Sequence, residues 1–342
     1  RRSGAIAVAE IERTESNSKR TVFVRHPTQA VVPGQGVRLV ALLCCMLAIL
    51  FTGCDMSADG PRLPVSAVNY WAVPNDGSRT PAPRAVSFGR PGEAFVLDNA
   101  GRVVLYDNAG NPGRHWYMPE HSVGRPEGIC RLIDGRIAVA DTHYHRVVVF
   151  DDDGNVVSQW GKRGLEAGEF IYPIAIMQSP DGGIYVSEYG EYGQKDRVQK
   201  FSPDGAFLLE FGSQGTGPGE FMRPSGLGWY DSQVFVADAF NNRILVFSEL
   251  GEYRGVFGGD SAVKDLYYPY DLGIDGDGNV YVVEYGAGRV TRLDRSGRLT
   301  GRFGHSGPGE DEFSTPWGIA VDRRGRILVA DTGNRRIVEL VP

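Results

Sequence analysis

Six acidic residues each stand a few positions ahead of an arginine, in Asp98/Arg102, Asp141/Arg146, Glu188/Arg197, Asp238/Arg243, Glu284/Arg289 and Asp331/Arg336. A carboxylate beside a guanidinium has two uses: around a pore it makes a ring of ligand-binding acids, and inside a fold it makes ion pairs that orient loops. Successive acidic positions lie 43, 47, 50, 46 and 47 residues apart. A feature that returns in every unit belongs to the unit, whereas a binding site breaks the symmetry. The pairs therefore read as structural.

Two histidines offer different chemistry. His143 and His145 flank Tyr144 just after Asp141, and two imidazoles two residues apart on a loop can chelate a transition metal. Asp141, His143 and His145 together stop short of a closed ligand set. His115, His121 and His305 read as residues of outer-edge loops that do not converge on them. Of four cysteines only Cys130 lies beyond position 54, so the main body of the chain builds neither a disulfide nor a thiolate cluster. It also lacks the Gly-x-Ser-x-Gly elbow and the phosphate-gripping Gly-Lys-Ser/Thr loop.

The elements that position these residues follow from the period. Each unit runs turn, apolar strand ending in the acid, short loop, arginine and second strand, as in Gly325-Arg-Ile-Leu-Val-Ala-Asp331-Thr-Gly-Asn-Arg-Arg336-Ile-Val. Some 45 residues accommodate four short strands and exceed a helical-hairpin repeat, which makes the unit one propeller blade. A proline opens each unit, at Pro83, Pro126, Pro173, Pro224, Pro269 and Pro316, and an aromatic closes the outer strand at Trp116, Trp160, Phe211, Phe257 and Phe303. Phe170, Phe221, Leu266 and Phe313, each three residues before a proline, are expected to plug the space between blades. The sixth unit stops after its third strand. Trp71 stands 12 residues before Pro83, matching the closing aromatics, so Val65 to Trp71 is predicted to supply the missing strand beside Arg336 to Leu340 and leave no raw edge. The expected fold is all-β, a six-bladed β-propeller of four-stranded antiparallel blades closed by an N-terminal strand.

The run Pro316-Trp-Gly-Ile-Ala-Val-Asp, followed by Ile-Leu-Val-Ala-Asp331-Thr-Gly-Asn-Arg-Arg336-Ile, resembles the NHL repeat, and the resemblance extends over residues 65 to 342. The copies at Asp238 and Asp141 fit well; the first is degenerate, and the third carries a longer loop from Tyr189 to Asp196. The resemblance implies a six-bladed propeller, a fold that hosts many activities. Its catalytic relatives, the peptidyl-hydroxyglycine amidating lyases, hold zinc with histidines near the blade-opening prolines. Here those positions carry Glu127, Ile174, Ser225, Tyr270 and Trp317, so that zinc site does not transfer. No cofactor is called for, although carbonyls and carboxylates in the channel of such a fold can hold calcium.

Residues 1 to 36 are polar and read as sequence upstream of the true start. Arg38 then precedes an apolar run, Leu39 to Thr52, short for a membrane span and suited to a signal sequence. Phe51-Thr-Gly-Cys54 resembles a bacterial lipobox, with Phe51 where leucine is usual, which implies lipidation at Cys54. Residues 37–53 are accordingly read as a signal peptide, 54–64 as a tether and 65–342 as the propeller. Residues 1–53 hold seven of the 36 basic and three of the 42 acidic residues, so a chain beginning at Cys54 carries a net charge of −10. That charge argues against nucleic-acid binding.

In a propeller the loops before each inner strand share one face with the loops between second and third strands. The neighbours of the prolines should line that mouth: Arg125, Glu127, Tyr172, Arg223, Tyr268, Tyr270, Thr315 and Trp317, with Tyr189 and Tyr285 added by the Glu-Tyr-Gly variants of blades three and five. Aromatics with a few charges around a concavity suit a protein, peptide or glycan partner; the same rings could equally be inter-blade packing. The sequence therefore predicts a monomeric, membrane-tethered exported binding module, with a lyase or lactonase-like hydrolase using a channel cation as the competing class.

Overall fold

The computed structural model describes residues 60–77, 80–122, 125–191, 195–259 and 266–342. The signal-like stretch, Cys54 and part of the Tyr189–Asp196 loop lie outside the described residues. Six four-stranded antiparallel sheets follow one another around a central channel. The first blade comprises Pro83–Phe88, Ala94–Asp98, Arg102–Tyr106 and Pro112–Tyr117, and the fifth Pro269–Ile274, Val280–Glu284, Arg289–Leu293 and Leu299–Phe303. Second strands such as Ile137–Asp141 and Ile327–Asp331 are buried at every position, because neighbouring blades cover both faces of a blade. Val, Ile and Leu suit this two-sided burial. Outer strands such as Val156–Trp160 face solvent over much of their length.

The sixth blade is completed from the other end of the chain. Ala67–Ala72 pairs antiparallel with Arg336–Val341, setting Trp71 opposite Ile337. The closing strand thus runs one residue beyond Trp71 and begins two residues after Val65. Trp71 is 3% exposed and stacks on Tyr106 of the first blade at 5.6 Å, while the Tyr106 hydroxyl donates to the Ala72 carbonyl. Gly110, at φ +78°, lies so close to the indole that a Cβ there would stand 2.3 Å from it. A glycine is required by conformation and by space together.

The packing repeats between other blades. Six buried apolar clusters mark the six interfaces, each drawing mainly on two adjacent blades, and Phe170, Phe221, Leu266 and Phe313 are buried within them as expected. His115 lies in the outer strand Pro112–Tyr117 instead of a loop, and Phe257 falls one residue past its strand, Tyr253–Val256.

Pairing between inner and second strands shifts register just after the opening proline in blades one, three, four and five. Proline offers no N–H to the ladder, so the pairing breaks there and the next residue becomes a bulge. Arg84, Ile174, Ser225 and Tyr270 are those bulged residues. A bulge re-aims the side chain it carries, and of these four Arg84 and Tyr270 join the site.

Removing residues 65–72 should bare the edge of Arg336–Val341, and Trp71→Ala alone should cost about 3–5 kcal/mol as a buried aromatic truncation. Thermal melting checks both; an unchanged melting temperature in the shortened chain would show that the ring closes without this strand.

Candidate functional site

The acid/arginine pairs form in all six blades, at 2.5–2.9 Å, with every carboxylate fully buried. Their remaining bonds explain the repeat. Asp238, Asp331, Glu188 and Glu284 accept the backbone N–H groups of Met222, Ser314, Ile171 and Tyr267 respectively, each in the loop leading into its blade. The arginines donate to carbonyls farther back along the same loops: Arg243 to Gly217 and Glu220, Arg336 to Gly309 and Glu312, Arg197 to Glu166 and Glu169. In blades three to six the acid therefore clamps a mouth loop to its blade, whereas Asp98 accepts the N–H groups of Ala100 and Arg102 in its own turn and one oxygen of Asp141 is buried without a partner. Burial raises the carboxyl pKa values of Asp98, Asp238 and Asp331, against the lowering effect of arginine and the other hydrogen bonds, and pushes Asp141 up to about 6. The pairs are spent on structure, as their repetition suggests.

What the loops hold is not repeated. The six residues that follow the prolines are Arg84, Glu127, Ile174, Ser225, Tyr270 and Trp317, and four of them interlock across the channel. Arg84 pairs with Glu127 at 2.5 Å and lies 3.4 Å over the Trp317 ring. The Tyr270 hydroxyl donates to the other Glu127 oxygen at 3.0 Å, and its ring packs on Trp317 at 4.9 Å. Burial lifts the Tyr270 hydroxyl well above its usual range, which keeps it a neutral donor. Glu127 and Tyr270, expected on the rim, are instead buried and form a floor. Arg84 escapes a reading of the sequence because the first repeat is degenerate, but its register after Pro83 is the signal that marks it.

Above this floor lies a wall of rings. Tyr268 contacts Tyr270, Tyr285 and Phe240, and Tyr285 reaches Trp317. The Arg223 guanidinium stands 4.4 Å over the Tyr189 ring and within 6 Å of the Phe240 and Tyr270 rings. Burial opposes its charge, but the Tyr270, Tyr268 and Tyr189 hydroxyls outweigh that effect and raise its pKa. Phe240, which is exposed, was not legible as part of the mouth. Tyr172 stacks against Tyr189 at 5.1 Å and donates to Glu191. Arg125 and Thr315 are exposed on the rim. Arg223, Tyr268 and Thr315, each directly before a proline, have positive φ values of 62°, 53° and 44°, and backbone strain of this kind clusters at functional sites.

The two histidines flank the Tyr172 ring at 5.8 and 5.7 Å. His143 Nδ1 lies against the backbone of Arg125 and His145 Nδ1 against the Ile171 carbonyl, while Asp141 is held by Arg146. Among the described residues no group of three or more His, Cys, Asp or Glu gathers as a metal-ligand set. Beneath the floor runs a channel cavity of about 380 Å³ lined by all six inner strands. Cys130 lines it, and burial pushes its thiol up to about 11. Asp271 also faces it; its two oxygens accept the N–H groups of Leu272 and Ile319, and burial pushes its carboxyl up to about 7.

This architecture is that of a β-propeller. The NHL repeat model matches residues 124–150 and 313–340, which supports an NHL-repeat propeller. Human NHL repeat-containing protein 3 is 26% identical over 174 residues, covering 47% of this chain and 49% of that protein. The chain spans about half the length of the curated relatives matched first. Among solved structures, virginiamycin B lyase from Staphylococcus aureus aligns with a TM-score of 0.57 at 14% identity, covering 81% of this chain and 99% of the other. A gluconolactonase from Xanthomonas campestris aligns at 0.58 and 16%, covering 83% and 98%. At these identities the likeness shows the fold.

Asp331→Ala should leave Arg336 without its acid, and Asn334 and the Ser314 N–H without their acceptor, and so destabilise by about 3–5 kcal/mol, the usual result of breaking a buried pair. Denaturant unfolding measures this; a variant as stable as the parent would show that the clamp contributes nothing.

Proposed function

We propose that this chain is an exported, lipid-tethered NHL-repeat propeller that acts as a monomeric binding or scaffolding module, with its mouth engaging a protein, peptide or glycan partner. The observation that carries the reading is the break in symmetry. The clamps recur six times, whereas the rings around Arg223 belong to blades three to six and include the half-exposed Tyr172, Tyr189, Tyr268, Tyr285 and Trp317. Half-exposed aromatics and arginine are the residue types that anchor interfaces. The tether rests on the short apolar run ending in Thr52-Gly-Cys54; two acyl chains there would anchor the protein stably, where one would not. Among the described residues no helix is long and apolar enough to cross a membrane.

The competing reading is a metal-assisted lyase or lactonase-like hydrolase, as a virginiamycin B lyase and a gluconolactonase share the fold. It would place a divalent cation such as calcium in the channel beside Asp271. Both oxygens of Asp271 are engaged by backbone N–H groups, and those of Glu127 by Arg84 and Tyr270. Neither acid is poised for an ion, and stoichiometric metal in the purified protein would argue for the enzyme.

The reading is tested by capturing partners from membranes with the intact chain, then titrating the captured partner against variants. Trp317→Ala should weaken binding by roughly thirtyfold, about 2 kcal/mol, while Asp331→Ala should bind nearly as well per folded molecule. The inverse pattern would place the site on the repeated pairs.

A further inference from the structure

Arg223 differs from Arg84 and from the repeat arginines. Arg84 has Glu127, and each repeat arginine has its acid. Among the described residues no carboxylate forms an ion pair with the Arg223 guanidinium, and its Nε, like that of Arg84, is buried without a hydrogen-bond partner. The nearby Asp196 is committed elsewhere: its oxygens accept the backbone N–H groups of Gly190 and of Arg223 itself, the latter at 2.8 Å. The acid thus holds the strained Arg223 backbone in place, and the head group is met by tyrosine hydroxyls, Tyr270 above all, and by no bonded carboxylate. A cation half removed from water is costly unless it is paired.

Resting on the reading of the mouth as the binding site, we propose that Arg223 takes a carboxylate of the ligand, borne on a ring or other largely apolar body that packs against the neighbouring aromatics. The guanidinium lies over the Tyr189 ring and within 6 Å of the Phe240 and Tyr270 rings, so a group that pairs with it meets those rings as well. A planar carboxylate can accept two parallel N–H bonds from a guanidinium. The chain's acidic balance disfavours polyanions and tolerates a ligand with one negative charge.

The purified full chain is titrated calorimetrically with 3-phenylpropionate, its neutral amide, glucuronate and phenyl phosphate. Phenylpropionate should bind at least about tenfold tighter than the amide, an advantage that Arg223→Gln abolishes and Arg223→Lys keeps in part, with the amide's own affinity unchanged. Glucuronate binding that depends on Arg223 also supports the carboxylate and assigns it to a sugar. Equal binding of acid and amide, tighter binding of phenyl phosphate, or no binding by any carboxylate at millimolar concentration overturns the proposal. Melting curves of both variants guard against misfolding. Trp317→Ala separates the two layers of the argument: if it weakens acid and amide alike while Arg223→Gln changes neither, the mouth stands and the carboxylate falls. If it changes neither, the mouth itself is wrong.

Discussion

The buried carboxylate at the end of each second strand is the interaction on which the rest of the molecule depends. In blades three to six it meets two demands at once, the arginine opposite and the backbone N–H of the loop entering its blade, and in blades four and six a third, the asparagine amide beside it. A buried charge is tolerated only when its hydrogen bonds are complete. Completing them forces the mouth loops of blades three to six to a fixed height and direction. The apolar clusters hold blade to blade, but they set no orientation for a glycine-rich loop; the acid does.

Fixed loops allow the proline positions to specialise. In four blades the loss of one ladder N–H makes the next residue a bulge, which re-aims its side chain. In a perfectly repeating protein six identical side chains would meet across the channel. Here Arg84, Glu127, Tyr270 and Trp317 meet instead, each satisfying another, and they separate the aromatic mouth from the channel that contains Asp271 and Cys130. The positive φ values of Arg223, Tyr268 and Thr315 lie in the blades that carry much of the aromatic wall. Strain there is held by specific bonds, as Asp196 holds the N–H of Arg223.

Much of this was legible in the sequence. Period, prolines, closing aromatics and the structural role of the acid/arginine pairs follow from repetition, and the distance from Trp71 to Pro83 revealed the closing strand. Less legible were contacts between distant parts of the chain. Glu127 and Tyr270 are 143 residues apart, and nothing local in either segment announces that one accepts from the other. Arg84 sits in the most degenerate repeat. Phe240 occupies a slot that other blades fill with polar or small residues, so its place on the mouth follows only from the folded ring. The ligand is least legible, since repetition encodes the scaffold and leaves a few unrepeated side chains to encode the partner.

Hydrogen exchange at the amides of Met222, Ser314, Ile171 and Tyr267 tests most directly whether the buried acids fix the mouth. These four lie in loops, yet each donates to a buried carboxylate at 2.6–2.8 Å. If the clamps hold, they exchange only through global unfolding, as slowly as amides of the central strands. Exchange at the rate of ordinary surface loops would mean that the carboxylates do not hold them, and that the mouth is shaped by something else.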